Sequence, residues 1–171
     1  MYSLTTFYST MVKAPNSRWD PIFICESASY RRLTQVKICA QENVCPTLRH
    51  FVNDEYPPTA ILLQYIPNMK ELKWTEYDER RIQNFVGGLN AIHYALVFHD
   101  DLHPRDMMVV DGNPEMIIWL DFDRARTFNG HLSERQKELI AFDKELVAEM
   151  ADFMKHDFDK GQFDKTRQYY R

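Results

Sequence analysis

The sequence predicts an α+β fold in which a small mixed N-terminal lobe is joined to a mostly helical C-terminal lobe. Three observations carry this expectation. Before residue 75 the apolar runs are short, rich in Thr, Phe, Tyr and Val, and cut by Pro and Asn breakers. After residue 75 apolar residues recur at helical spacing over two segments, each opened by a capping-box pattern. Between those segments an Asp-Gly dipeptide separates two apolar runs, as in a hairpin. The expected division is an N-lobe over 1–66, a linker over 67–73 and a C-lobe over 74–171.

Taken in order, residues 5–13 read as one or two strands closed off by Pro15 and Asn16. Tyr30, Leu33 and Val36 recur at helical spacing among basic residues, so a helix is expected over 26–40, with Pro46 barring any extension. Residues 47–52 and 59–66 read as strands on either side of the Pro57-Pro58 break. Thr75-Glu76-Tyr77-Asp78 has capping-box form, and Ile82, Phe85, Val86, Leu89, Ile92, His93 and Leu96 mark one face of a helix of about six turns. Gly87-Gly88 inside it costs roughly 1 kcal/mol per glycine and suggests close helix packing. Residues 107–110 and 116–120 form the hairpin around Asp111-Gly112-Asn113-Pro114. Ser133-Glu134-Arg135-Gln136 opens the last helix, marked by Ile140, Leu146, Val147, Met150 and Phe153, and the charged tail from Lys155 reads as frayed.

Composition narrows the function classes. The formal charge of −4 gives no reason to expect nucleic-acid or anionic-membrane binding. No apolar run approaches the ~18 residues needed to cross a bilayer, and the first ten residues lack the basic start and apolar stretch of a signal peptide. Cys25, Cys39 and Cys45 form no C-x-x-C pair and read as reduced thiols. The expected location is intracellular, cytoplasmic or nuclear.

The chemistry concentrates in residues 99–125. The hairpin brings Asp101, Asp106 and Asp121 to one end, because strand pairing across Asp111-Gly112 returns the chain and sets Asp121 beside Asp106. Phosphoryl transfer needs such a set: a carboxylate that accepts a hydroxyl proton, and further oxygen ligands for a metal that neutralises the phosphates. A transition-metal site from His99, Asp101 and His103 would need a helix to share a face, and Pro104 argues for a loop. Asp121-Phe122-Asp123 alone could suggest a D-x-D nucleotide-sugar site, but that motif is short.

The stretch 99–125 resembles the protein-kinase-like superfamily, whose catalytic loop reads H-x-D-x-x-x-x-N and whose metal-binding strand ends in D-F-G. Leu102-His103-Pro104 is similar to the version in aminoglycoside- and choline-kinase-like phosphotransferases, and in short fungal-type kinase-like proteins. The resemblance, over about residues 8–150, implies a truncated bilobal kinase-like fold. It implies transfer of the ATP γ-phosphate to a hydroxyl of a small molecule or partner protein, with ATP and Mg²⁺ as cofactors. Asp101 would be the catalytic base, and Asp106 and Asp121 the metal ligands. Lys13 would contact the phosphates, paired with Glu26. Backbone groups of Gln64 and Ile66, in a segment that looks like the hinge, would meet adenine. His99 would support the loop by hydrogen bonding; His103 would sit near substrate or cap the loop; Asp100 would be a surface neighbour and Asp123 a turn-former.

The pattern departs from the family at four points. Asp106 replaces Asn, Asp123 replaces the Gly of D-F-G, no glycine precedes Lys13, and no A-P-E motif follows Asp121. These departures support an alternative, a catalytically weak or inactive pseudokinase or fragment that binds a nucleotide or a partner.

Overall fold

The computed structural model describes residues 9–11, 19–36, 59–61 and 65–170, with side chains for 24–36 and 65–170. The architecture is mixed α+β with small antiparallel sheets. Lys13 and Gln64, the strand expected over 47–52, and Cys39 and Cys45 lie outside the described residues.

Two short strands, β1 (Ser9–Met11) and β2 (Thr59–Ile61), pair antiparallel with Thr10 opposite Ala60. The first helix, α1 (Trp19–Gln35), begins seven residues before the expected start and ends before residue 40. Pro21 hid that start: a proline in the first turn costs a helix nothing, because amides there have no intrahelical partner.

The expected linker holds a strand. β3 (Met69–Glu71) pairs antiparallel with β5 (Met107–Val110), which pairs with β6 (Asn113–Trp119). The hairpin is close to the expected one. Asp111 and Gly112 form its turn, Gly112 taking a φ of 83° that only glycine accepts at little cost. A bulge between Val109 and Val110 lets β6 start at Asn113. Met107 stands opposite Trp119, which brings the residues before β5 and after β6 to the same end.

Helix α2 (Glu79–Tyr94) is shorter than its apolar pattern. Trp74–Glu76 forms a 3₁₀ turn instead of the first helical turn, and Asp78 is the N-cap, its carboxylate accepting from the Arg81 amide at 2.9 Å. The helix stops at Tyr94, and Leu96 takes a left-handed φ of 61°. Its buried face, Ile82, Phe85, Gly88, Leu89, Ile92 and His93, lies on β6 and α3. Gly88 packs against the sheet: a Cβ there would stand 3.1 Å from Ile117 Cδ1 and 3.3 Å from Trp119 Cδ1. The Trp119 indole donates to the Phe85 carbonyl at 3.1 Å, locking α2 to β6.

Strands β4 (Val97–Phe98) and β7 (Arg126–Thr127) pair antiparallel and receive α1. The last helix, α3 (Glu134–Lys160), opens with the expected capping box: Ser133 Oγ accepts from the Gln136 amide and Gln136 Oε1 from the Ser133 amide. The tail is not frayed as expected. α3 continues to Lys160, Gly161 closes it with a φ of 62°, and 3₁₀ turns follow over Lys165–Tyr170. Fully buried Asp157 explains this order, its carboxylate accepting from the amides of Asp164, Lys165 and Thr166 and from Thr166 Oγ1 at 2.7–3.1 Å. Among the described residues no helix is long and apolar enough to cross a membrane.

Candidate functional site

The loop between β4 and β5 is shaped by its backbone before its side chains enter. Asp100 takes a left-handed φ of 65°, affordable for Asp because its short polar side chain bonds locally. Pro104 opens a 3₁₀ turn through Asp106, whose amide donates to the His103 carbonyl at 3.0 Å. The Asp106 carbonyl accepts from the Leu120 amide at 2.9 Å, tying the loop to the segment leaving β6. His99 supports the same joint. Its ring is fully buried between Trp119 and Phe122, and Nε2 donates to the Leu120 carbonyl at 2.8 Å. Burial pushes the imidazole below its ordinary value, so the ring is neutral with its proton on Nε2. This is the loop-supporting role expected of it.

Past β6, Asp121 takes a φ of 61° and is exposed, while Phe122 buries against Tyr30 of α1 in an edge-to-face contact at 5.3 Å. The Ala125 amide donates to the Phe122 carbonyl, closing a turn at Asp123-Arg124. Asp123 is thus the expected turn residue, but it also faces the cluster. Burial, the Asp121 charge and a hydrogen bond to Asp121 all raise its pKa.

Glu26 and Asp106 complete the group. Glu26, buried on α1, is pushed up to about 7 by its burial and then by the charges of Asp121 and Asp123. Asp106, 3% exposed, is also pushed up to about 7 by burial and then by Asp121, with Arg105 opposing. The structure therefore brings Glu26, Asp106 and Asp123 within electrostatic reach of Asp121, from three separate stretches of chain.

Asp101, the expected base, lies at the edge of this group. Its Oδ1 is 3.1 Å from His103 Nε2, and its Oδ2 is 3.5 Å from an Arg105 guanidinium nitrogen and 3.8 Å from Arg124 Nε. His103 also reaches the Tyr169 carbonyl at 3.4 Å, so it links the C-terminal turn to Asp101. Asp100 points to another partner, pairing with Arg126 at 2.9 Å, as befits a surface neighbour. Ile66 is buried and precedes β3. Arg105, Arg124 and Asp123 are the parts of this site that sequence reasoning left without a role or gave too small a one. Only their positions inside the motif could have signalled them.

The donor set suits a hard divalent cation in part. Asp106 Oδ2 and Asp123 Oδ1 are buried without hydrogen-bond partners. Among the described residues no group of three or more His, Cys, Asp or Glu is placed to hold a metal ion unaided. Mg²⁺ does not require such a cage, since it usually takes one or two carboxylates and completes its shell with water and phosphate oxygens. Scans against protein-family models, curated proteins and solved structures each returned no match.

Proposed function

We propose that this protein is a kinase-like phosphotransferase, moving the γ-phosphate of ATP to a hydroxyl acceptor on a bilobal protein-kinase-like fold. The observation that carries the reading is the focus of charge on Asp121. Burial first, and then this charge, raises the pKa of Glu26 on α1, of Asp106 before β5 and of Asp123 in the turn after β6. Carboxyl groups crowded into one partly buried place are costly, and such crowding marks functional sites.

In this reading Asp101 orients the acceptor hydroxyl and takes its proton as the acceptor oxygen bonds to the γ-phosphorus. The bond from that phosphorus to the β–γ bridging oxygen breaks, and ADP leaves with the electron pair. Asp106 and Asp121 would hold Mg²⁺, which when bound would neutralise phosphate charge. His103 holds Asp101 in place, and His99 keeps the loop against the strand end. Lys13, held by Glu26, would contact the phosphates, and the backbone of Gln64 and Ile66 would receive adenine.

A second reading, a nucleotide- or partner-binding pseudokinase, is favoured by the state of Asp101, whose two oxygens already face His103, Arg105 and Arg124. Oxygens so engaged are less free to meet an acceptor hydroxyl. Thermal melting with Mg·ATP, run beside an assay of ADP release, separates the two. The enzyme reading requires a raised midpoint and ADP release that Asp101→Ala abolishes while the midpoint shift persists. A shift without turnover selects the nucleotide-binding pseudokinase, and no shift overturns both nucleotide-binding readings and leaves a partner-binding role.

A further inference from the structure

We infer that the acceptor is a small hydroxyl compound carrying its own negative charge, a carboxylate or phosphate ester, received by Arg105 and Arg124 beside Asp101. This rests on the phosphotransferase reading and adds a substrate class to it. The two guanidiniums reach the same oxygen of Asp101 from different stretches, one in the loop before β5 and one in the turn after β6. Neither is consumed by it. The contacts are 3.5 and 3.8 Å, too long to count as strong hydrogen bonds, and the side chains remain 52% and 68% exposed. Arg105 makes one further long approach, 3.8 Å to Asp106 Oδ1.

The contrast with Arg126 is informative. That side chain is committed, at 2.9 Å to Asp100 and with its guanidinium 4.8 Å from the centre of the Phe98 ring. Arg105 and Arg124 instead present two planar forks toward solvent, a geometry suited to planar carboxylates and to phosphate oxygens. The two guanidiniums share that one oxygen, so neither is fully neutralised by it. Asp101 also lies within electrostatic reach of Asp106 and Asp123. A hydroxyl handing its proton to Asp101 must come within a few ångströms of both arginines. An acceptor with an anionic group next to that hydroxyl gains two charge-assisted contacts that a neutral acceptor lacks.

Calorimetric titration of the full chain at low salt with glycerol 3-phosphate, glycerate and glycerol tests this. Either or both of the anions should bind and glycerol should not; the two anions tell a phosphate site from a carboxylate site. Arg105→Gln and Arg124→Gln should each weaken binding at least tenfold, while Arg135→Gln, on exposed α3, leaves it unchanged. Bound Mg·ADP should not displace the anion. Binding of glycerol equal to that of the anions, no binding of either anion, or affinity indifferent to both arginines overturns the inference. So does competition with Mg·ADP, which would assign the arginines to the nucleotide phosphates. Anion binding that needs both arginines, without any ATP turnover, upholds this site and sinks the phosphotransferase reading. Turnover with no preference for anionic acceptors does the reverse.

Discussion

Replacing Asp121 with Asn should make the protein more stable at pH 8, and less so at pH 5. Glu26 and Asp106 each sit at about 7 in the folded state, against ordinary values of 4.5 and 3.8. Both therefore bind a proton more tightly folded than unfolded. The stability this contributes is fully present below about pH 4 and is lost as pH rises through 7. At about 1.4 kcal/mol per pH unit, the loss is about 3 kcal/mol for Glu26 and about 4 kcal/mol for Asp106. Burial is the larger cause in both, and the Asp121 charge is the next. A like charge in such a cluster contributes on the order of 1 kcal/mol to each neighbour. Asp121→Asn should then gain about 2 kcal/mol at pH 8. At pH 5 Glu26 and Asp106 are protonated and uncharged, so their share of the gain should fall within about 0.5 kcal/mol of zero.

The substitution is geometrically mild, since Asn takes a left-handed φ as readily as Asp does at 61°. Urea unfolding followed by far-UV circular dichroism, at pH 5, 6, 7 and 8 with divalent ions chelated, reads the difference directly. A gain equal at pH 5 and 8 would refute the electrostatic reasoning, because it would come from something other than ionised neighbours. A loss at pH 8 would refute the placement of Asp121 against Glu26 and Asp106.

Further outcomes follow from the same structure. Adding Mg²⁺ at pH 8 should raise the melting midpoint of the wild type and not of Asp121→Asn, because only a ligand that binds the folded state shifts it; equal shifts would remove Asp121 from the metal site. Gly88→Ala should destabilise by about 1 kcal/mol in urea, since the new methyl meets fully packed Ile117 and Trp119 and this outweighs the helix-propensity gain. A stabilised variant would mean that the α2–β6 seam can open. Asp157→Ala should cost about 3 kcal/mol or more by stranding the donors that close the C-terminal turn, and should speed amide exchange over 162–170. The four protein hydrogen bonds to Asp157, with a fifth from His156 Nδ1, hold its carboxyl below the ordinary 3.8, so its contribution fades only as pH falls through that region.

What could be read from residues alone was whatever repeats or pairs locally. The hairpin was legible because Asp-Gly turn chemistry and the apolar runs around it are contiguous, and the register that joins Asp106 to the Leu120–Asp121 end follows from strand pairing. The α3 start was legible because both halves of its capping box lie within four residues. The misread features are those whose cause lies far away in the chain. β3 shows no alternation over Met69–Glu71 and exists because β5, some forty residues on, offers it an edge. The α3 stripe hides Asp143 and Asp157 at buried positions, where polar residues seem to break a face. Asp143 is there for buried His93, 3.1 Å away on α2, and Asp157 for amides seven to nine residues later. The candidate site divides in the same way. Asp101, Asp106 and Asp121 share one local motif and were found together. That Glu26 joins them depends on α1 packing Tyr30 on Phe122 across ninety residues, a contact no spacing rule contains. Arg105 and Arg124 are exposed charges whose shared place beside one carboxylate exists only once the fold brings the loop before β5 and the turn after β6 together.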